Sequence, residues 1–163
     1  MIKDSGNRTE FEVNGIKTGA VRDMREGKGR CDLMPLDVVA ESMRDNIIWH
    51  IYDFQVTGAI KHLYFALADL ANMPAFNGQP TMFLETAKHF EEGAKKYGEH
   101  NWQLGIPVKC YIDSAVRHYL KWRRGDNDES HDRAFCWNIM TALWTCKHKP
   151  ELNEYGKDDC NDQ

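Results

Sequence analysis

Three stretches, "TMFLETAKHFEEGAKKYG" (81–98), "PVKCYIDSAVRHYLKWRRG" (107–125) and "HDRAFCWNIMTALWTCKH" (131–148), most constrain the fold. Each repeats apolar residues at helical spacing. Gly98 and Gly125 close the first two, Pro107 opens the second, and Ser130 and Pro150 bracket the third. Amphipathic helices of this length must cover one another's apolar faces, so the spacing predicts a helical bundle. Upstream, "LDVVAESMRDN" (36–46) reads as a short helix with Asp37 as N-cap. "IIWHIYDFQVTGAIKHLYFALADLANM" (47–73) reads as one long helix or two short ones that break at Gly58. No stretch reads as a convincing strand. The expected organisation is an extended, basic and glycine-rich arm (1–35), an all-α domain of four to five helices (36–150) and a frayed polar tail (151–163). The arm carries almost no apolar periodicity, so its removal is expected to leave the helical core folded.

A chain of 163 residues is long enough for one real core, and 42% hydrophobic with 28% charged residues fits a soluble globular protein. No apolar run approaches the roughly 18–20 residues of a membrane span, and the N-terminus has no apolar leader, which points to a cytoplasmic location. A net charge of −4 argues against stable nucleic-acid binding. Five cysteines (Cys31, Cys110, Cys136, Cys146 and Cys160) without a CxxC spacing point to reduced thiols rather than disulfides or a zinc cage.

Helix turns of about 100° per residue separate inward acids from solvated ones. In 82–97 the apolar stripe runs through Phe83, Ala87, Phe90, Ala94 and Tyr97. That phase puts Glu91 at the edge of the stripe, facing a cleft or paired with Lys95, and puts Glu92 on the solvated face with Lys88 and Lys96. In 107–124, Asp113 and His118 sit on opposite shoulders, about 140° apart, so one ion is not expected to take both. Asp113 with Arg117 reads equally as a helix ion pair, and His118 equally as a hydrogen-bonded core histidine. In the last helix, Asp132 projects from the apolar face and needs a metal, a cation or several donors, unless it is a first-turn acid favoured by the helix dipole. Glu129 and Asp132 give an ExxD spacing. In the arm, Arg22, Arg25, Lys28 and Arg30 cluster around "EGKGR", where Gly27 and Gly29 let backbone amides approach an anion. The same segment also reads as a flexible basic loop.

"TGAVRDMREGKGRCDL" (18–33) and "HFEEGAKKYGEHNWQLGIPVKCYIDSAVRHYLKWRRGDNDESHDRAFCWN" (89–138) resemble the phage and prophage dATP/dGTP diphosphohydrolases. By fold these go with the all-α, MazG-like nucleoside-triphosphate pyrophosphohydrolases. The elements TGAVR, GKGR, EGAKKYG, NW, DSAxRH and HxxxxxWN occur here in one order, and 46–80 looks like a helical insertion. The resemblance implies hydrolysis of purine deoxynucleoside triphosphates to monophosphate and pyrophosphate with Mg²⁺ or Mn²⁺, in a homodimer or higher oligomer. It carries function onto Glu91 and Asp113, and these with the inward-facing Asp132 are the expected metal ligands, since hard cations prefer carboxylates; the expected catalytic groups are His118, His131 and Lys95. Nucleotide contacts fall on Arg22, Lys28, Arg30, Lys96, Tyr97, Asn101, Trp102, Arg117 and Asn138, with Trp102 stacking on the base and Asn101 reading its edge. MazG-like enzymes carry an ExxE on one helix, yet here Lys88 and Ala94 flank Glu91 at that spacing. Two alternatives follow: a non-catalytic nucleotide- or partner-binding module, and an HD-type phosphohydrolase built on His131–Asp132 with His89 or His118 and Asp158.

Overall fold

The computed structural model describes residues 8–157. Six α-helices form the body: α1 (Leu36–Met43), α2 (Asn46–Thr57), α3 (Lys61–Ala71), α4 (Gln79–Tyr97), α5 (Val108–Arg124) and α6 (His131–His148). The fold is all-α in class, as the periodicity predicts. α5 and α6 form the largest helix pair, with α4 and α3 packed on α6 and α1 packed on α2. Tyr111, Ile112, Val116, Tyr119, Phe135 and Ile139 are fully buried where α5 meets α6. The 47–73 stretch does break at Gly58, whose φ of +66° ends α2 in the left-handed region. α2 and α3 pack against the same core as the other helices and do not hang off it.

Asp45 is the N-cap of α2, accepting from Ile48 N at 3.1 Å. It also accepts from Tyr119 Oη at 2.6 Å and Arg123 at 2.7 Å, which fastens α2 to α5. The cap expected at Asp37 is instead Pro35, and α4 begins two residues before the "TMFLETAKHFEEGAKKYG" stretch, capped by Gly78. Asp37 lies inside the first turn of α1, where an acid complements the helix dipole.

The expected strandless arm is an antiparallel hairpin, β1 (Arg8–Val13) with β2 (Ile16–Asp23). Its turn is Asn14–Gly15, both at positive φ (+51° and +79°), the two-residue geometry whose twist suits a hairpin. Phe11 packs against the core and Ala20 is fully buried, so the hairpin is a layer of the domain and not a separable arm. Asn101 clamps it: its Nδ2 donates to Val21 O and its Oδ1 accepts from Val21 N, both at 2.9 Å. The segment after α6 also departs from a frayed tail as far as it is described. Leu152 is buried and Tyr155 packs edge-on against Phe54. Four cysteines are free thiols, and Cys160 lies outside the described residues.

Candidate functional site

A cleft of about 560 Å³ opens between the hairpin, the 24–30 loop, α4, α5 and the start of α6. That volume lies in the range of small-molecule sites. Trp102, Phe90 and Trp137 give it an aromatic wall. Trp102 stands edge-on to Phe90 and Trp144, at centroid distances of 5.7 and 5.0 Å.

Opposite lie Arg22, Arg25, Lys28, Arg117 and Lys121. Arg22 is held from several sides: it donates to Asn138 Oδ1 at 3.1 Å and Ser114 Oγ at 3.3 Å, and packs over the Tyr111 and Trp137 rings. Asn138 completes its amide by donating to Ala134 O, so it positions Arg22. Arg117 donates to Gly29 O at 2.7 Å and to Asp113 at 2.7 Å, pinning the "EGKGR" loop to α5. The Lys28 ammonium, on that loop, makes no hydrogen bond or ion pair among the described residues, and partial burial pulls its pKa below the ordinary lysine value. An ammonium held in a cleft without a partner suits an anion.

At one end of the cleft the two candidate histidines meet. His118 Nδ1 and His131 Nδ1 are 2.9 Å apart. His131 Nε2 lies 2.7 Å from Asp128 Oδ1, a carboxylate that can only accept, so the proton is on Nε2. The two Nδ1 atoms then share one hydrogen bond, one ring donating and the other accepting. Burial and the neighbouring imidazole push the His118 pKa down to about 2, so its ring stays neutral. Glu129 Oε1 lies 3.7 Å from His118 Nδ1 and 3.6 Å from His131 Nδ1. A point equidistant from these three atoms would sit about 2 Å from each, a metal–ligand bond length. The Asp128 carboxylate behind His131 is the outer-shell partner that metal-bound imidazoles characteristically have. The donor set therefore fits a divalent cation, one with more affinity for imidazole than Mg²⁺ has.

The expected ligands are not brought together. Glu91 points to solvent with its side chain 66% exposed, and pairs with Lys95, itself exposed, at 2.9 Å. Glu92 is the half-buried member of the pair, 3.6 Å from Arg133 of α6. The helix phase was off because the buried face of α4 runs through Met82, Thr86 and His89, while Phe83 and Ala87 are exposed. Asp113 is fully buried and saturated by Cys31 N and Arg117, both at 2.7 Å, so it anchors the loop. Asp132 accepts from Arg133 N in the first helical turn. Lys96 and Tyr97 both bond Asp23, at 2.7 and 2.8 Å, which ties the end of β2 to α4. Arg30 forms a forked pair with Asp32 and does not line the cleft. Asn101 lines the cleft, but its amide is engaged by Val21, which leaves it to hold the hairpin. The HD-type arrangement is not assembled among the described residues: His131 turns to Asp128 and Asp132 to its own backbone, while Asp158 lies outside the described residues. Sequence reasoning missed Asp128 and took Glu129 only as half of an ExxD spacing, since an acidic loop before a helix gives no sign of which carboxylate turns inward.

Fold and cleft together define a class: an all-α protein with a cationic pocket built beside two joined histidines. Within that class the assignment is specific. The family model described as "dATP/dGTP diphosphohydrolase, N-terminal" matches residues 66–155, and the chain belongs to that family. The match spans α4, α5 and α6 with His118, Glu129 and His131, and leaves out the hairpin and its basic loop. No curated protein sequence and no solved structure matches the chain. Among the described residues no helix is long and apolar enough to cross a membrane.

Proposed function

We propose that this chain hydrolyses purine deoxynucleoside triphosphates between the α- and β-phosphates, giving monophosphate and pyrophosphate, with a divalent cation held by His118, Glu129 and His131. The observation that carries the reading is the convergence of those three donors in a cleft whose other wall is cationic. The cation, when bound, would polarise a phosphate oxygen and lower the pKa of a bound water. Asp128 orients the His131 ring through Nε2, so that Nδ1 faces the cleft, and a cation taken by both Nδ1 atoms would displace the proton they share. Arg22, locked by Ser114, Asn138 and two aromatic faces, is preorganised to meet charge that develops on a phosphoryl group. Lys28 and Lys121 supply unpartnered ammonium groups for the remaining phosphates. The Trp102 and Phe90 edge of the cleft offers apolar surface to a base.

The test is incubation with dGTP or dATP and Mn²⁺ or Mg²⁺, with products followed by phosphorus NMR. Monophosphate plus pyrophosphate, faster with Mn²⁺, is the expected outcome. Nucleoside plus tripolyphosphate would instead mark phosphohydrolase chemistry of the HD type. Binding without turnover in either metal would mark a nucleotide-binding module.

A further inference from the structure

A second group of metal-type donors stands away from the cleft, on the α2–α3 hairpin. His50 and Asp53 are three residues apart on α2, and His62 lies in the first turn of α3. One donor atom from each lies within 4.8 Å of the other two, and none of the three lines the cleft. His62 Nδ1 is shielded from solvent and has no hydrogen-bond partner. The nearby Asp53 Oδ2, at 3.8 Å, is beyond hydrogen-bond reach. A buried ring nitrogen left in that state carries a desolvation penalty that a ligand would remove. His50 Nε2 lies 3.0 Å from Asp69 Oδ2, the kind of carboxylate support that fixes the tautomer of a metal-bound imidazole. The Phe65 ring packs against both imidazoles, at centroid distances of 5.6 and 6.1 Å, and limits their rotation.

We propose that His50, Asp53 and His62 form a second divalent-cation site, for a borderline transition metal such as Zn²⁺, joining α2 to α3 across the Gly58 corner. Two imidazoles and one carboxylate suit that class of ion, whereas Ca²⁺ and Mg²⁺ favour oxygen-only ligand sets. Three protein ligands leave a position for water. A bound ion would add a cross-link between the two packed helices near their shared corner, and would raise the thermal midpoint of the chain.

Co²⁺ is the probe, because its visible ligand-field absorption reports low-coordinate nitrogen and oxygen binding. The titration is run on the full chain carrying His118→Ala and His131→Ala, so that the cleft donors cannot respond. One Co²⁺ per chain with a visible band, displaced by Zn²⁺, is the expected result, and Zn²⁺ should raise the thermal midpoint. Adding His62→Gln should weaken Co²⁺ binding by at least about tenfold and abolish the Zn²⁺ shift. If the cleft variant has lost its helical circular dichroism, the same titration on the unsubstituted chain must lose one equivalent upon His62→Gln. No band in a folded cleft variant, or a band that survives both His50→Ala and His62→Gln, overturns the proposal. Nucleotide turnover is measured separately, so failure here leaves the reading of the cleft untouched.

Discussion

Glu129 and Glu91 are both candidate carboxylates by sequence, and their environments give opposite expectations. Glu129 faces two imidazole nitrogens in the cleft, whereas Glu91 is exposed and paired with Lys95. Glu129→Gln should lower dGTP turnover by about a hundredfold, roughly 2.7 kcal/mol of transition-state stabilisation. Asp128→Asn, which leaves the ligands and removes their support, should lower metal affinity or turnover by about ten- to a hundredfold. Glu91→Gln should stay within about threefold of the native rate. A large loss for Glu91→Gln with none for Glu129→Gln would place the metal elsewhere. His89 supplies a pH signature of folding. Burial, with Arg133 and Arg22 nearby, lowers its pKa from 6.5 to about 4. The unfolded chain binds that proton more readily than the folded one. Stability from a neutral His89 is therefore complete above pH 6.5 and is lost progressively as pH falls toward about 4. Between pH 6.5 and 5 the cost is up to about 2 kcal/mol. Denaturant midpoints should fall across that window, and His89→Gln should flatten the slope; an unchanged slope would mean that His89 is solvated.

At the scale of elements, the joint between hairpin and helices rests on few bonds. Asn101→Ala removes both contacts to Val21 and leaves its amide and carbonyl without those partners. With roughly 1–2 kcal/mol for each, the thermal midpoint should drop by about 5–15 °C. A change below about 2 °C would show that the clamp contributes little. The helices were legible because their stops are local: Gly58, Gly98 and Gly125 end α2, α4 and α5 where the sequence places them. The hairpin was missed: "EFEVNGIKTGAV" has Asn-Gly between two alternating runs, but the many polar residues on its exposed face masked it. The rotation of α4 was not legible from hydrophobicity. Its buried face includes Thr86, satisfied by its bond to Met82 O at 2.8 Å, and His89, so an apolar stripe drawn through Phe83 and Ala87 is about one residue out of phase. The site was half legible. His118 and His131 announced themselves, but their carboxylate partner came from the loop before α6, whose conformation depends on the packing of α5 against α6.

At the scale of the whole molecule, the proposed anion contact and the fastening of the fold share one segment but fall on different side chains. The 24–33 loop is fastened through Asp113 to Cys31 N and through Arg117 to the Lys28 and Gly29 carbonyls, while the Lys28 ammonium lines the cleft without a bond. Removing residues 1–30 therefore strips Phe11 and Ala20 from the core and leaves Asn101 and Arg117 short of partners in or beside it. The truncated chain should lose its cooperative thermal transition, contrary to the separable arm that composition suggests. Lys28→Ala should separate the two roles. It breaks no contact, so the thermal midpoint of the free protein should stay within about 1 °C. A charge-assisted bond to phosphate is worth roughly 1.5–3 kcal/mol, so the Michaelis constant for dGTP should rise at least about tenfold. Arg22→Ala should do both kinds of damage, because its guanidinium supports Asn138 and Ser114 as well as facing the cleft. Paired thermal melts and steady-state kinetics on the two variants decide the matter. If Lys28→Ala leaves the Michaelis constant unchanged, the phosphates lie elsewhere in the cleft; if it lowers the midpoint by several degrees, the loop depends on a contact that Lys28 makes.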